Sequence, residues 1–387
     1  MVNEKKIIAY KGFDKDFKCR DFQYKVGKTY EMDGNIKCCG RGFHACESPM
    51  DVFDYYDMPT SRFAEVEQSG EIDKVDNSTK ICSSRIKIKA ELKLADIINL
   101  GVEWLKEITA PSKIKANNSS NDGDSAQIGS SGDFAKIGSS GDTAQIGSSG
   151  GSAQIGSSGD SAQIGSSGDF AKIGSSGDTA QIGSSGDFAK IGSSGDSAQI
   201  GSSGGSAQIG SSGGFAQIGS SGGFAKIGSS GDSAQIGSSG GSAQIGSSGG
   251  FAQIGSSGAF AQIGSSGDFA KIGSSGDTAQ IGSSGDFAKI GSSGDTAQIG
   301  SSGDFAKIGS SGDFAQIDSS GRNSVVMCAG YDSMAKAAIG SWITLAEWKD
   351  KEGEWKPVCV KTEYVDGCRI KADTYYKLVD GEFKEVE

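Results

Sequence analysis

A nine-residue repeat, G-S-S-G-D-x-A-Q/K-I, fills the middle of this 387-residue chain. Its isoleucine recurs every nine residues from Ile128 to Ile317, in 22 copies without an insertion. A period held this strictly indicates stacked copies of one structural unit. A flexible Gly/Ser linker has no need for an isoleucine at constant phase, so the 62 glycines do not indicate a disordered spacer.

The order of side chains within the repeat predicts which of them face inward. Ala and Ile lie two positions apart, so they point to the same side of a short strand and would form the core. The variable residue before Ala (Phe, Ser or Thr) and the Gln or Lys after it would point outward. Gly-Ser-Ser-Gly-Asp would form the corner, because Gly and Asp favour turns. The sequence therefore predicts a mainly β fold, with the repeats forming a β-solenoid.

Longer periods in the array favour two repeats, or about 18 residues, per coil. From Asp268 to Lys307, Phe-Ala-Lys copies alternate with Thr-Ala-Gln copies, and an earlier block of four copies is echoed after 36 residues. A two-sided solenoid would place these alternating copies on different faces, either of which is a candidate interaction surface. The predicted outer face comprises Phe269, Lys271, Phe287, Lys289, Phe305 and Lys307, and the opposite face Thr278, Gln280, Thr296 and Gln298.

Composition divides the chain into three parts: an α+β domain (1–115), the nonapeptide-repeat solenoid (116–330) and a small β domain (331–387). Strands are expected at 6–13, 85–94, 341–348, 355–363 and 375–379. Helices are expected from Ser48 to Tyr56 and from Leu94 to Ile108. We expect the two flanking domains to cap the solenoid, because open solenoid ends expose unpaired backbone.

The formal net charge is −11, and residues 124–320 contain sixteen Asp against seven Lys. This acidity argues against direct binding of nucleic acid. It also leaves open a protein that imitates the charge of DNA, although Asp is equally a turn former that keeps a Gly-rich array soluble. The chain shows neither a membrane-spanning apolar run nor a signal peptide, and unpaired cysteines are typical of the cytoplasm, so we expect a cytoplasmic protein.

Side chains suited to catalysis or metal binding are few. His44 is the single histidine, and the sequence has no GxSxG or HExxH motif. Cys38, Cys39, His44 and Cys46 are close enough in sequence for a zinc site, but CxxC knuckles are missing and a structural role is favoured. No cofactor is predicted.

The N-terminal segment resembles a known group of sequences. Gly42-Phe-His-Ala-Cys46, followed by Ser48-Pro-Met-Asp-Val-Phe-Asp-Tyr-Tyr56, looks like a domain of uncharacterised phage, prophage and clostridial proteins that often carry such repeats. The C-terminal segment from Val365 to Gly381 resembles the C-terminal region of the same proteins. This resemblance implies a phage or prophage origin and no particular activity.

The same N-terminal stretch is distantly similar to ADP-ribosyltransferases. The resemblance implies a transferase-like site at Tyr10, Gly12, His44 and Ser48. The chain departs from the motifs of that family, because no His precedes Gly12 and His44 replaces a Tyr, so a non-catalytic relative is favoured.

Three functions are consistent with these features. The leading one is a non-enzymatic binding or scaffold protein that contacts a protein partner, or a second copy of itself, through a flat solenoid face. The alternatives are a DNA-mimicking or counter-defence inhibitor and an ADP-ribosyltransferase-like enzyme in the N-terminal domain.

Overall fold

Each repeat forms one four-residue strand, Gln/Lys-Ile-Gly-Ser, in the computed structural model, which describes residues 6–75, 78–109, 118–121 and 123–386. A strand pairs in parallel with the strand 18 residues further along, so that Lys136 lies beside Gln154 and Ile137 beside Ile155. The solenoid has about 12 turns, about 18 residues apart. The predicted β-solenoid with two repeats per coil is therefore confirmed.

The chain divides into two compact units. The first comprises Met1–Ile200 and Gln208–Ser212, and the second comprises Gly201–Ala207 and Gly213–Glu387. The first unit contains the N-terminal domain and the early repeats. The second contains later repeats and the C-terminal strands.

The N-terminal domain consists of short strands, one 3₁₀ helix and one α-helix. These are β1 (Ile7–Phe13), β2 (Lys18–Cys19), β3 (Phe22–Gln23), β4 (Thr29–Glu31), β5 (Phe43–Cys46), the 3₁₀ helix (Met50–Asp54), β6 (Arg62–Lys74), β7 (Lys80–Leu92) and α1 (Leu94–Thr109). Five strands form an antiparallel sheet in the order β4-β7-β5-β1-β6, and β7 also pairs with β6. This closed arrangement brings β1 and β5 side by side.

The expected elements of this domain are present, with two differences. The segment from Ser48 to Tyr56 forms only a 3₁₀ helix, with Pro49 rather than Ser48 at its N-cap. So short a segment is typical of 3₁₀ geometry. The long strand β6 was not predicted, because its polar residues hide the alternation of buried positions such as Val66.

The repeats of the first unit supply strands of two parallel sheets. One contains β8 (Asn118–Asn121), β10 (Lys136–Ser139), β12 (Gln154–Ser157), β14 (Lys172–Ser175), β16 (Lys190–Ser193) and β18 (Gln208–Ser211). The other contains β9 (Gln127–Ser130), β11 (Gln145–Ser148), β13 (Gln163–Ser166) and β15 (Gln181–Ser184). The next strand, β17, is Gln199–Ser202.

The core of each coil is filled by three residues of the repeat. Ala153 and Ile155 are buried, as the parity of the repeat predicts, and so is Ser157. The serine in this position is satisfied locally: Ser157 Oγ accepts the N–H of Gly159 at 3.4 Å. The inner ladders are therefore Ala, Ile and Ser, and the small serine allows the tight corner that follows.

Helix α1 packs against the side of the coils, on the sheet that contains β10 to β18. Its buried residues include Ile98 and Leu105. A Cβ added to Gly156 would lie 3.0 Å from Cδ1 of Leu105, and one added to Gly192 would lie 2.6 Å from Cδ1 of Ile98. The outward glycines thus form a groove that receives the helix. We expected this domain at the end of the solenoid; the described contacts lie along its side, because the groove buries the apolar face of α1.

The second unit continues the same pattern of alternating strands. One sheet contains β20 (Lys226–Ser229), β22 (Gln244–Ser247), β24 (Gln262–Ser265), β26 (Gln280–Ser283), β28 (Gln298–Ser301), β30 (Gln316–Ser319) and β32 (Met334–Ala337). The other contains β19 (Gln217–Ser220), β21 (Gln235–Ser238), β23 (Gln253–Ser256), β25 (Lys271–Ser274), β27 (Lys289–Ser292), β29 (Lys307–Ser310) and β31 (Val325–Cys328).

The C-terminal strands extend these two sheets. They are β33 (Trp342–Lys351), β34 (Glu354–Tyr364), β35 (Tyr375–Val379) and β36 (Glu382–Val386). β33 pairs in parallel with β31 and in antiparallel with β34, whereas β35 joins β32 in antiparallel. The hairpin predicted at Asp380-Gly381 is present, and both residues have positive φ, as its turn type requires. The sheets therefore end in antiparallel hairpins.

Candidate functional site

A cavity of about 820 Å³ lies in the N-terminal domain. Residues of β1, of β5 and of the segment after the 3₁₀ helix line it. Its lining includes the cations Lys11, Arg20 and Lys80 and the aromatic residues Tyr10, Phe22, Tyr24, Tyr30, Phe43, Tyr55 and Tyr56. A concave site with aromatic walls and a few convergent polar groups is typical of small-molecule binding.

Lys11 carries its ammonium group into the interior beside this cavity. Only 5 % of the residue is exposed. Its Nζ donates to the carbonyl of His44 at 2.9 Å and lies 3.5 Å from Sγ of Cys19. Burial lowers the pKa of Lys11. These contacts are with a thiol and a backbone carbonyl rather than with a carboxylate, so an anionic ligand would be a favourable partner for this buried amine.

Aromatic rings form the outer wall of the cavity. Phe22, Tyr24 and Tyr30 contact one another edge to face, with centroids 4.8 to 5.3 Å apart. Phe22 remains 48 % exposed. On another wall, Nζ of Lys80 lies 4.5 Å from the ring centroid of Tyr55. The site therefore presents both aromatic rings and positive charge.

The structure brings together three of the four residues that the transferase resemblance implied. Tyr10, Gly12 and His44 all line the cavity. Gly12 is explained by packing, because a Cβ there would overlap the ring of Tyr56. Ser48 is fully buried and is not part of the described lining.

The cysteines group differently from the expected set. Ligand atoms of Cys38, His44 and Cys82 lie within 4.8 Å of one another. Cys46 packs in an apolar cluster with Met50, and burial raises the pKa of its thiol to about 12. Cys82 is 38 residues from His44 in sequence, and only the pairing of β5 with β7 shows their proximity.

The predicted solenoid faces can be located within the second unit. Lys271, Lys289 and Lys307 lie in register on β25, β27 and β29. Gln280 and Gln298 lie in register on the other sheet.

Phe and Thr occupy the corners before these strands. The rings of Phe269, Phe287 and Phe305 stack in a column, with centroids 5.1 to 5.4 Å apart. By contrast, the hydroxyl groups of Thr278 and Thr296 donate to carbonyl oxygens of the preceding coil. The Phe column is therefore the more exposed apolar feature of the two.

Ion pairs hold the N-terminal domain against the coils of the first unit, and sequence reasoning missed them. Lys172 Nζ lies 2.8 Å from Oδ1 of Asp51 and 2.7 Å from Oδ2 of Asp54. Burial opposes the charge of Lys172, but the two carboxylates outweigh it and raise its pKa. Lys190 lies 3.2 Å from Asp54, and there burial prevails and lowers the pKa of the lysine. Lys172 and Lys190 lie one coil apart in register, and only the structure shows that they face the acidic Met50–Asp54 segment.

In the part of the chain that the structure describes, no helix is long and apolar enough to cross a membrane.

The fold defines a β-solenoid repeat protein that carries a small N-terminal sheet domain with a cavity. Residues 7–100, about a quarter of the chain, match a family model described as Domain of unknown function (DUF7666). No curated protein and no solved structure gives a match to the chain.

Proposed function

We propose that this is a binding protein whose N-terminal domain holds a small ligand that combines a planar ring with an anionic group. The observation that carries the proposal is the 820 Å³ cavity, where buried Lys11 and exposed Arg20 accompany a wall of aromatic rings. Cations favour phosphate or carboxylate groups, and the ring faces favour stacking. A nucleotide has both features, so nucleotides are the ligand class we assign.

Calorimetric titration of the full chain tests this proposal. ADP and NAD should bind, and adenosine, which lacks the anion, should bind more weakly. Arg20→Gln should weaken binding about tenfold or more, because a hydrogen bond to a charged group contributes roughly 1.5–3 kcal/mol. Lys15→Gln is the matched control, since Lys15 is an exposed cation outside the lining. Absence of nucleotide binding, or equal loss with Lys15→Gln, would overturn the proposal.

An enzymatic form of this proposal is ADP-ribosyl transfer. Its support is that Tyr10, Gly12 and His44 line one cavity. Labelled NAD incubated with the protein and host lysate separates the two forms. Label transferred to a lysate protein, and lost in Tyr10→Ala or His44→Ala, indicates a transferase; binding of NAD without transfer indicates a non-enzymatic domain.

We also propose that the protein comes from a phage or prophage and acts in the cytoplasm of the host cell.

The solenoid itself is proposed as a scaffold that associates with a second copy of the chain. The observation in favour of self-association is the stacked column of Phe251, Phe269, Phe287 and Phe305, each 45–58 % exposed. Phe287 and Phe305 adopt positive φ, which bulky residues avoid. Two members of the exposed column are therefore retained at a backbone cost, which favours the column as a contact surface.

Light scattering tests the self-association. Replacement of Phe269, Phe287 and Phe305 by Ser should lower the oligomeric mass, because the apolar column is removed. Replacement of Thr278 and Thr296 by Ser on the other sheet should leave the mass unchanged. An unaltered mass in the Phe variant would remove the column as an interface.

A further inference from the structure

We propose that Cys38, His44 and Cys82 form a zinc-binding site in the N-terminal domain. Their ligand atoms lie within 4.8 Å of one another, although the residues come from three separate segments. This set differs from the one suggested by sequence proximity, since Cys82 enters and Cys46 does not.

Strand register places two of the ligands on one face of the sheet. His44 on β5 is the direct antiparallel partner of Cys82 on β7. Side chains of such cross-strand pairs point the same way, with Cβ atoms about 4.5–5.5 Å apart. Cys82 is also the partner of Asp73 on β6. His44, Cys82 and Asp73 therefore form a row across three strands.

A tight turn brings Cys38 over this row. Lys37 and Arg41 close the turn as an isolated bridge. The N–H of Cys38 donates to Oδ2 of Asp73 at 2.8 Å, and its Sγ lies 3.2 Å from the Asp73 carbonyl. These contacts with Asp73 therefore hold Cys38, the third ligand, in place without a metal ion.

Two local features limit the space around these groups and orient the imidazole of His44. Gly42 has a φ of +144°, and a Cβ there would lie 3.1 Å from Sγ of Cys82. Nε2 of His44 accepts the N–H of Cys39 at 3.0 Å, so this nitrogen carries a lone pair rather than a hydrogen. A metal ion would replace this hydrogen bond.

The donor set identifies the class of metal. Two thiolates and one imidazole favour Zn²⁺ over Mg²⁺ or Ca²⁺, which prefer oxygen ligands. Two thiolates also balance the charge of a divalent ion. Four-coordinate zinc needs one more ligand, for which water and the adjacent carboxylate of Asp73 are the candidates.

Metal analysis of the full chain tests the site. Protein purified under reducing conditions from zinc-supplemented cells should contain about one zinc per chain after extensive dialysis. Replacement by Co²⁺ should give a thiolate-to-cobalt charge-transfer band and the visible bands of a tetrahedral site. Cys82→Ser and His44→Gln should each lower the zinc content and change these bands.

Cys39→Ser is the matched control, because Cys39 adjoins Cys38 but lies outside the cluster; it should keep its zinc. Circular dichroism checks that each variant folds. If Cys82→Ser does not fold, His44→Gln still tests the site, because His44 is only half-buried. A chain without zinc or cobalt bands overturns the proposal. So does a Cys38–Cys82 disulfide in the reduced preparation, or zinc loss in Cys39→Ser equal to that in Cys82→Ser.

Discussion

At the residue scale, the strand glycine and the corner glycine of the repeat have different reasons to be glycine. Gly276 begins a corner, and a Cβ there would overlap the carbonyl oxygen of Gly258 in the preceding coil. Gly273 points outward from β25, and in the described part of the chain its Cβ would meet nothing within 4 Å. The corner glycine is therefore required by coil stacking, whereas the strand glycine is not.

This difference can be measured within a single repeat. Gly276→Ala should lower the free energy of unfolding by about 1–3 kcal/mol, because the added methyl group overpacks the corner. Gly273→Ala should be neutral or stabilise by roughly 0.5 kcal/mol, because alanine loses less backbone entropy. Urea denaturation of both variants gives the comparison, and equal destabilisation would contradict it.

At the element scale, helix α1 and the 3₁₀ helix use the strand glycines as a docking surface. Gly174 faces the side chain of Met50, while Lys172 on the same strand pairs with Asp51 and Asp54. Apolar contacts along the glycine row are thus bordered by charge pairs. The sheet of β9 to β15 has the same glycine row, but there the added Cβ of Gly165 meets no atom of the described residues within 4 Å.

Valine at these two glycines should separate docking from solenoid stability. Gly174→Val would displace the side chain of Met50 and weaken the docking by about 1–3 kcal/mol through overpacking. Amide exchange in Leu94–Thr109 should therefore become roughly tenfold faster or more. Gly165→Val should leave this exchange unchanged. Hydrogen–deuterium exchange by mass spectrometry makes the measurement, and unaltered protection of α1 in Gly174→Val would contradict the docking account.

The sequence predicted the elements whose causes are local. The inward Ala and Ile, the 18-residue coil and the Asp380-Gly381 turn all follow from short-range parity or turn chemistry. Docking of α1 could not be predicted, because a glycine such as Gly174 has the same sequence context on both sheets. Most of the cavity was also beyond prediction: Tyr10 and His44 were singled out, but Lys11 becomes significant only once burial is known. Likewise, Cys82 joins His44 through strand register alone.

At the scale of the whole molecule, most of the chain forms the repeat array, and a smaller part forms the domain with the candidate sites. Within the first unit, the N-terminal domain packs on one sheet of the solenoid, whereas no described residue packs on the glycines of the other. The cavity and the cysteine cluster both belong to the N-terminal domain. We therefore propose that the N-terminal domain binds a ligand and that the repeat array serves as its scaffold.

The pairing of strands 18 residues apart also restricts how such a gene can change in length. Loss or gain of one nonapeptide would move every later strand to the opposite sheet, and would exchange the Phe-Lys and Thr-Gln sides beyond that point. Loss or gain of two nonapeptides leaves each later strand where it was. We therefore expect repeat slippage to be tolerated in even steps, so that inherited length variants of this chain differ by whole coils.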